Sequence, residues 1–138
     1  MTGAGPCPCG LGAAYDACCG RFHQGTANAP TAELLMRSRY AAFAARDQAY
    51  LLRTWHVSTR PEQLGFNAGQ RWTRLEIVST AGGSAFHTEG TVRFRAHYTD
   101  CGRAGVQEEE SRFERDSEGR WVYLDGEQTP PGLPGNAS

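Results

Sequence analysis

The sequence predicts an α+β domain preceded by a small cysteine knuckle, and three observations carry that reading. Apolar residues recur with a helical period between Thr31 and Trp55, the period changes to two from Trp72 onward, and four of the five cysteines fall within residues 7–19. At 138 residues the chain can bury one sizeable core. No stretch approaches the roughly 20 apolar residues of a membrane span, and the N-terminus lacks the charged and apolar runs of a signal peptide. A cytoplasmic protein without membrane contact is expected.

Thr31 is suited to cap a helix with Glu33 in its first turn. Met36, Tyr40, Phe43 and Ala44 recur at i, i+4, i+7 and i+8 and mark a buried stripe, with Arg37, Ser38 and Arg39 partly beside it. Asp47 can cap a second helix carrying Tyr50, Leu51, Thr54 and Trp55, and Pro61 ends helical structure nearby. Strands are expected at about 72–79, 85–99, 106–116 and 120–125, joined by glycine-containing turns into an antiparallel meander. In the longest of these, Val92, Phe94, Ala96 and Tyr98 share one face and Arg93, Arg95 and His97 the other. In the next, Glu109 and Ser111 share the face of Phe113, while Glu108, Glu110, Arg112 and Glu114 point outward, where ion pairs with Arg93 and Arg95 can form. Residues 128–138, rich in proline and glycine, read as a disordered tail.

The formal charge of −1 offers no general attraction to nucleic acid. Eight arginines against three acids in residues 21–75, and four arginines against eight acids in residues 101–138, suggest instead that opposite charges meet within the fold. A nucleic-acid reading would rest on Arg37, Arg39, Arg46 and Arg53.

The segment Cys7-Pro-Cys9 and, eight residues later, Cys18-Cys19 calls for a chemical reason. In a reducing compartment, clustered thiols bind metal more often than they form disulfides. Thiolates are soft ligands, and four of them suit tetrahedral zinc. Pro8 stiffens the first pair, and Gly10, Gly12 and Gly20 allow sharp turns. A redox cluster and a site with His23 in place of Cys19 are the alternatives. Cys101, in a turn, reads as an unpaired thiol.

The cysteine segment resembles the SEC-C zinc motif, found at the C-terminus of the bacterial translocase motor and attached to many small bacterial proteins. That resemblance implies one structural Zn2+ on Cys7, Cys9, Cys18 and Cys19, within a motif over residues 1–28. The body carries Met36-Arg-Ser-Arg-Tyr-Ala-Ala-Phe43, Leu51-Leu-Arg-Thr-Trp-His-Val-Ser-Thr-Arg-Pro61, Gly90-Thr-Val-Arg-Phe-Arg-Ala-His-Tyr98, Glu110-Ser-Arg-Phe113 and Trp121-Val-Tyr-Leu-Asp-Gly126. These segments resemble the YchJ-like bacterial proteins. The resemblance implies an NTF2-like, cystatin-like cone of helices on a curved antiparallel sheet over residues 29–127, enclosing a pocket; it implies no reaction.

For that pocket the candidates are Arg37, Arg39, Tyr40, Trp55, His56 and Trp72. A catalytic reading would take Asp125 as general base with Tyr98 and His56 as hydrogen-bond donors. Each has a plainer alternative: aromatic packing, a helix-terminal histidine, or arginines meeting sheet glutamates such as Glu109. The expected function is a binding or adaptor protein, monomer or homodimer, whose knuckle meets another protein and whose pocket can hold a small ligand; the alternative is a small-molecule enzyme.

Overall fold

The computed structural model describes residues 6–66 and 68–129, side chains 128 and 129 excepted. A 3-10 turn at Tyr15–Ala17 and helix α1 (Cys19–His23) follow the first cysteine pair, and then come α2 (Ala32–Ala45), α3 (Gln48–Arg53) and four strands. These are β1 (Gln70–Gly82), β2 (Glu89–Asp100), β3 (Arg103–Arg115) and β4 (Trp121–Thr129), paired antiparallel in chain order.

Helix α2 is started by the Thr31 hydroxyl, which accepts the Leu34 N–H at 3.1 Å, and is ended by Arg46 in left-handed backbone geometry. Asp47 caps α3 by accepting the Tyr50 N–H at 3.1 Å. The expected stripe is displaced by about one position. Leu35, Met36, Ser38, Arg39 and Tyr40 are buried, whereas Phe43 and Ala44 are only half-buried. The shift has a structural cause: the helix is covered on two sides, by the sheet and by the cysteine knuckle, so its apolar period does not describe its buried face.

The sheet takes the alternation expected of β2 and β3. Val92, Phe94, Ala96, Ser111 and Phe113 are buried beneath α2, and Arg93, Arg95 and Glu108 pair on the opposite face at 3.1 and 3.3 Å. Strand β2 begins at Glu89, later than expected, because residues 85–88 form a turn. Ser84 Oγ meets His87 Nδ1 there at 2.7 Å, and the Arg115 guanidinium donates to the carbonyls of Ala85 and His87. Cys101 and Gly102 both take positive φ, as a two-residue hairpin turn demands, and leave the Cys101 thiol exposed. Strand β4 runs past the expected end at Asp125 to Thr129, so the boundary drawn at 128 moves; residues 130–138 of the expected tail lie outside the described residues.

Irregularities in register bend this sheet: two in β1, near Thr73 and Val78, and one between β3 and β4, where Arg112 faces Asp125 but Phe113 faces Tyr123. Leu124 is the extra residue, and its carbonyl is taken by the Thr59 hydroxyl at 2.7 Å. The chain leaving α3 adds a short parallel pairing to β4, with His56 N–H donating to the Tyr123 carbonyl and Tyr123 N–H to that of Thr54.

Among the described residues the arginine surplus of the first half goes chiefly to backbone carbonyls, although Arg39 also feels the charge of Glu109. Arg21, Arg37, Arg39, Arg46, Arg53 and Arg60 each donate to a backbone carbonyl, at Cys18, Cys9, Leu51, Gln70, Phe22 and Trp55 respectively. A guanidinium carries five donors in a planar fork, so it can tie loop backbone together without needing an acid for each charge. This use also occupies the arginines on which a nucleic-acid reading would rest.

Candidate functional site

The first centre is the cysteine cluster. Gly10 and Gly12, at φ 87° and 93°, let the chain double back between the two cysteine pairs, and Gly20 gives the close packing of α1 on Tyr15, where a Cβ would lie 2.7 Å from the Tyr15 carbonyl oxygen. The four sulfurs all lie within 4.8 Å of one another, and each cysteine is buried. A tetrahedral ion with metal–sulfur bonds of about 2.3 Å needs sulfurs about 3.8 Å apart; Cys9 and Cys18 stand at 3.5 Å. The donor set therefore fits a thiophilic divalent cation.

The electrostatics agree. The Cys9 thiol is pulled down to about 5, chiefly by hydrogen bonding from Cys19, with the Leu11 backbone N–H assisting against the cost of burial. Cys18 is pushed up to about 11 by burial and by Cys9, and Cys19 is pushed up by its hydrogen bond to Cys9 and by burial. Protons alone thus favour a thiolate at Cys9 and thiols at Cys18 and Cys19, and a divalent cation is what would allow those two to ionise.

The knuckle is fastened to the domain rather than tethered beside it. Ala41 of α2 packs into the cysteine cluster with Tyr15. Arg37 donates Nη1 to the Cys9 carbonyl at 3.0 Å and Nε to Glu33, and Arg53 donates to the Phe22 carbonyl at 3.1 Å. His23 completes the junction. Its Nε2 faces the Ser38 carbonyl at 2.8 Å, which can only accept, so Nε2 carries the proton there; Nδ1 meets the Tyr15 hydroxyl at 2.5 Å. With both ring nitrogens engaged, His23 is a clamp, and the alternative in which it replaces Cys19 is set aside.

The second centre is a cavity of about 230 Å³ between α2 and the inner face of the sheet. Tyr40, Phe43, Trp55 and Trp72 supply aromatic walls, and Phe94 and Ala96 of β2 the floor. Tyr40 and Trp72 meet edge to face at 6.1 Å, as do Trp55 and Tyr123 at 5.1 Å. The polar residues lining this apolar box are Arg39, Gln107, Glu109, Ser111 and Tyr123.

Arg39 is 3% exposed, and its Nη1 donates to the Leu51 carbonyl and the Thr54 hydroxyl, both at 2.8 Å. Its guanidinium carbon lies 5.0 Å from the Trp55 ring centroid and 4.6 Å from that of Tyr123. Burial pulls the guanidinium down to about 10, against the partial support of Tyr123, Tyr50 and Glu109. Glu109 Oε2 accepts from Ser111 at 2.6 Å and from Tyr123 at 3.2 Å. Burial and the Glu109 charge hold the Tyr123 phenol protonated well above its ordinary range, and burial raises Tyr40 to about 12. Trp55 Nε1 is buried and has no hydrogen-bond partner among the described residues.

Of the residues singled out from sequence, Arg39, Tyr40, Trp55 and Trp72 line this cavity, and Arg37, His56, Tyr98 and Asp125 do not. Arg37 belongs to the knuckle junction. His56 follows Trp55 along an extended, strand-paired segment and so projects to the other side, where it meets Glu114 at 3.5 Å and Ser58 at 2.8 Å. Asp125 is turned outward by the irregularity at Leu124: two residues after inward Tyr123, it pairs with outward Arg112 at 2.6 Å. Tyr98 stacks edge-on with Trp72 at 5.4 Å. The proposed group of His56, Tyr98 and Asp125 is therefore not assembled. Glu109 and Ser111 were legible as inward residues of β3, but Tyr123 was missed; the alternation of Trp121, Tyr123 and Phe113 on paired strands was the available signal.

Comparison with known proteins agrees with this architecture. The family described as YchJ, middle NTF2-like domain, matches residues 31–126. A UPF0225 protein of Streptomyces avermitilis is 63% identical over 121 residues, covering 88% of this chain and 83% of that one, and one of Corynebacterium glutamicum is 51% identical over 121 residues, covering 88% and 95%. The solution structure of a SEC-C motif containing protein from Rhodopseudomonas palustris superposes with a TM-score of 0.76 at 31% identity, covering 88% of this chain and 97% of that one. A crystal structure of a SEC-C motif containing protein from Psychrobacter arcticus, 23% identical, shares the fold with a TM-score of 0.74 over 99% of this chain and 87% of that one. With a cysteine cluster clamped to α2 and an NTF2-like domain that spans most of its length, the chain belongs to the YchJ-like family.

Proposed function

We propose that this chain is a zinc-stabilised binding protein of the cytoplasm, in which one Zn2+ on Cys7, Cys9, Cys18 and Cys19 holds the knuckle to α2 and the aromatic cavity receives a small molecule. The observation that carries the reading is that the two centres are separate: the four-sulfur cluster packs against Ala41, and none of its cysteines lines the cavity. Four protein ligands leave no open position for activating water, so the ion's role is structural. A reducing compartment keeps such thiols available to metal.

The knuckle also offers a surface to a protein partner. Residues 10–13, between the two ligand pairs, are exposed, with Leu11 at 49%. Elemental analysis of reduced protein tests the first part, with one zinc per chain expected and a metal-free, still rigid knuckle overturning it. Crosslinking from Ala13, exposed in the same loop, tests the second: reproducible capture of one partner, lost in Leu11→Asp, supports it, and no such partner overturns it.

An enzymatic reading keeps one support, the buried carboxylate of Glu109 beside the Tyr123 hydroxyl. Under that reading Glu109, rather than His56 or Asp125, is the acid or base, and Glu109→Gln abolishes turnover of an identified small molecule. Unchanged turnover in that variant would end it.

A further inference from the structure

Inside the cavity, a buried cation and a buried carboxylate are each incompletely used. Arg39 commits Nη1 to Leu51 and Thr54, and no partner for Nε or Nη2 occurs among the described residues. Glu109 commits Oε2 to Ser111 and Tyr123, and Oε1 has no partner there. The Trp55 Nε1–H, also without a partner among the described residues, is buried within the wall rather than on the void. All three residues line the same cavity, between aromatic walls. Polar edges left open on the wall of an apolar void mark the chemistry of what fills it.

The donors and the acceptor define the ligand's polar edge. Arg39 can only donate, so it calls for an acceptor; a carboxylate at Glu109 can only accept, so it calls for a donor. The positive and negative charges balance within the site, and a charged guest would bring an uncompensated charge into an apolar enclosure. The walls are flat rings, and the volume of about 230 Å³ exceeds the roughly 150 Å³ of an apolar cavity known to admit benzene. Resting on the reading of this cavity as a ligand site, we infer that it binds an uncharged planar molecule of two fused rings bearing a hydrogen-bond acceptor next to a donor, the edge presented by a cyclic amide.

The test uses the zinc-loaded full chain and four probes of similar size: quinolin-2(1H)-one, which has the edge; naphthalene, which lacks it; 1-naphthoate, an anion; and 1-naphthylmethylamine, a cation. Affinities come from titration followed by 1H–15N NMR, with the Trp55 indole N–H as reporter. Quinolinone is expected to bind at least about tenfold more tightly than each of the others, with a saturable shift of that indole signal. Arg39→Met, which keeps an apolar stem and loses the donor, should narrow the quinolinone-to-naphthalene ratio by about tenfold. Glu109→Gln should narrow it as well.

Naphthalene binding as tightly as quinolinone would overturn the inference while leaving the cavity a ligand site. Tighter binding of the naphthoate or the amine would do the same, in favour of an anion site at Arg39 or a cation site at Glu109. Absence of binding by every probe would overturn both the inference and the ligand-site reading beneath it.

Discussion

Glu109 lies over Gly126 on the neighbouring strand, so closely that a Cβ at position 126 would sit 2.6 Å from the Glu109 carboxyl carbon. The space that lets a carboxylate occupy the inner face of this sheet is thus made by a missing side chain one strand away. Glu109 can move only by leaving the Ser111 and Tyr123 hydroxyls that fix it. Gly126→Ala should therefore cost about 1–3 kcal/mol in chemical denaturation, the usual penalty of overpacking a buried site. The double variant Gly126→Ala with Glu109→Ala should cost less than the sum of the two singles, because the collision is gone. Strict additivity would refute the contact.

Arg39 and Glu109 should prove coupled through the cavity. Removing a buried charge strands its counterpart, which costs about 3–5 kcal/mol for Arg39→Met. Adding Glu109→Gln neutralises the stranded carboxylate and should recover part of that loss. A urea denaturation cycle over the four proteins measures the coupling, and a double variant no more stable than Arg39→Met alone would rule it out.

Removal of the metal should loosen the knuckle and leave the sheet standing. Cys9→Ser, or chelation of the wild-type protein, is expected to lower Tm by roughly 10 °C, equivalent to about 3 kcal/mol for a domain of this size, with circular dichroism still reporting the strands. Hydrogen exchange should rise first at α1 and at the Cys9–Arg37 junction. Cys101→Ser, altering an exposed thiol in a hairpin turn, should retain metal and Tm unchanged.

Asp125 should titrate as a surface partner of Arg112. Two hydrogen bonds from that guanidinium, at 2.7 and 2.6 Å, hold its carboxyl below the ordinary carboxylate range, against a small effect of burial. A carboxyl depressed in the folded state adds stability above its unfolded pKa, near about 3.9, and loses it as pH falls through the folded value. Arg112→Ala should raise the Asp125 pKa toward normal in an NMR titration. Its stability penalty should be small, fade in high salt, and vanish below the folded pKa of Asp125. An Asp125 pKa indifferent to this substitution would break the assignment.

Local chemistry made much of this protein readable. Thr31 and Asp47 cap helices because their side-chain oxygens satisfy amides three residues on, and Gly102 marks a hairpin turn because glycine accepts positive φ, which Cys101 is also made to adopt. Four crowded cysteines announced a sulfur cluster able to hold a metal ion for the same local reason. Alternation in β2 and β3 separated inner from outer residues correctly, down to the pairing of Arg93 and Arg95 with Glu108.

What the sequence alone determined was therefore the helices, the meander and the sulfur cluster, all of which follow from forces acting over a few residues. The tertiary structure decided the membership of the cavity. One extra residue at Leu124 turned Asp125 away, a strand-like exit from α3 sent His56 outward, and a glycine on the adjacent strand admitted Glu109. Each depends on the register between segments distant in sequence, and a shift of one position exchanges the two faces of a strand, so local pattern named Arg39, Tyr40, Trp55 and Trp72 but could not exclude His56 and Asp125.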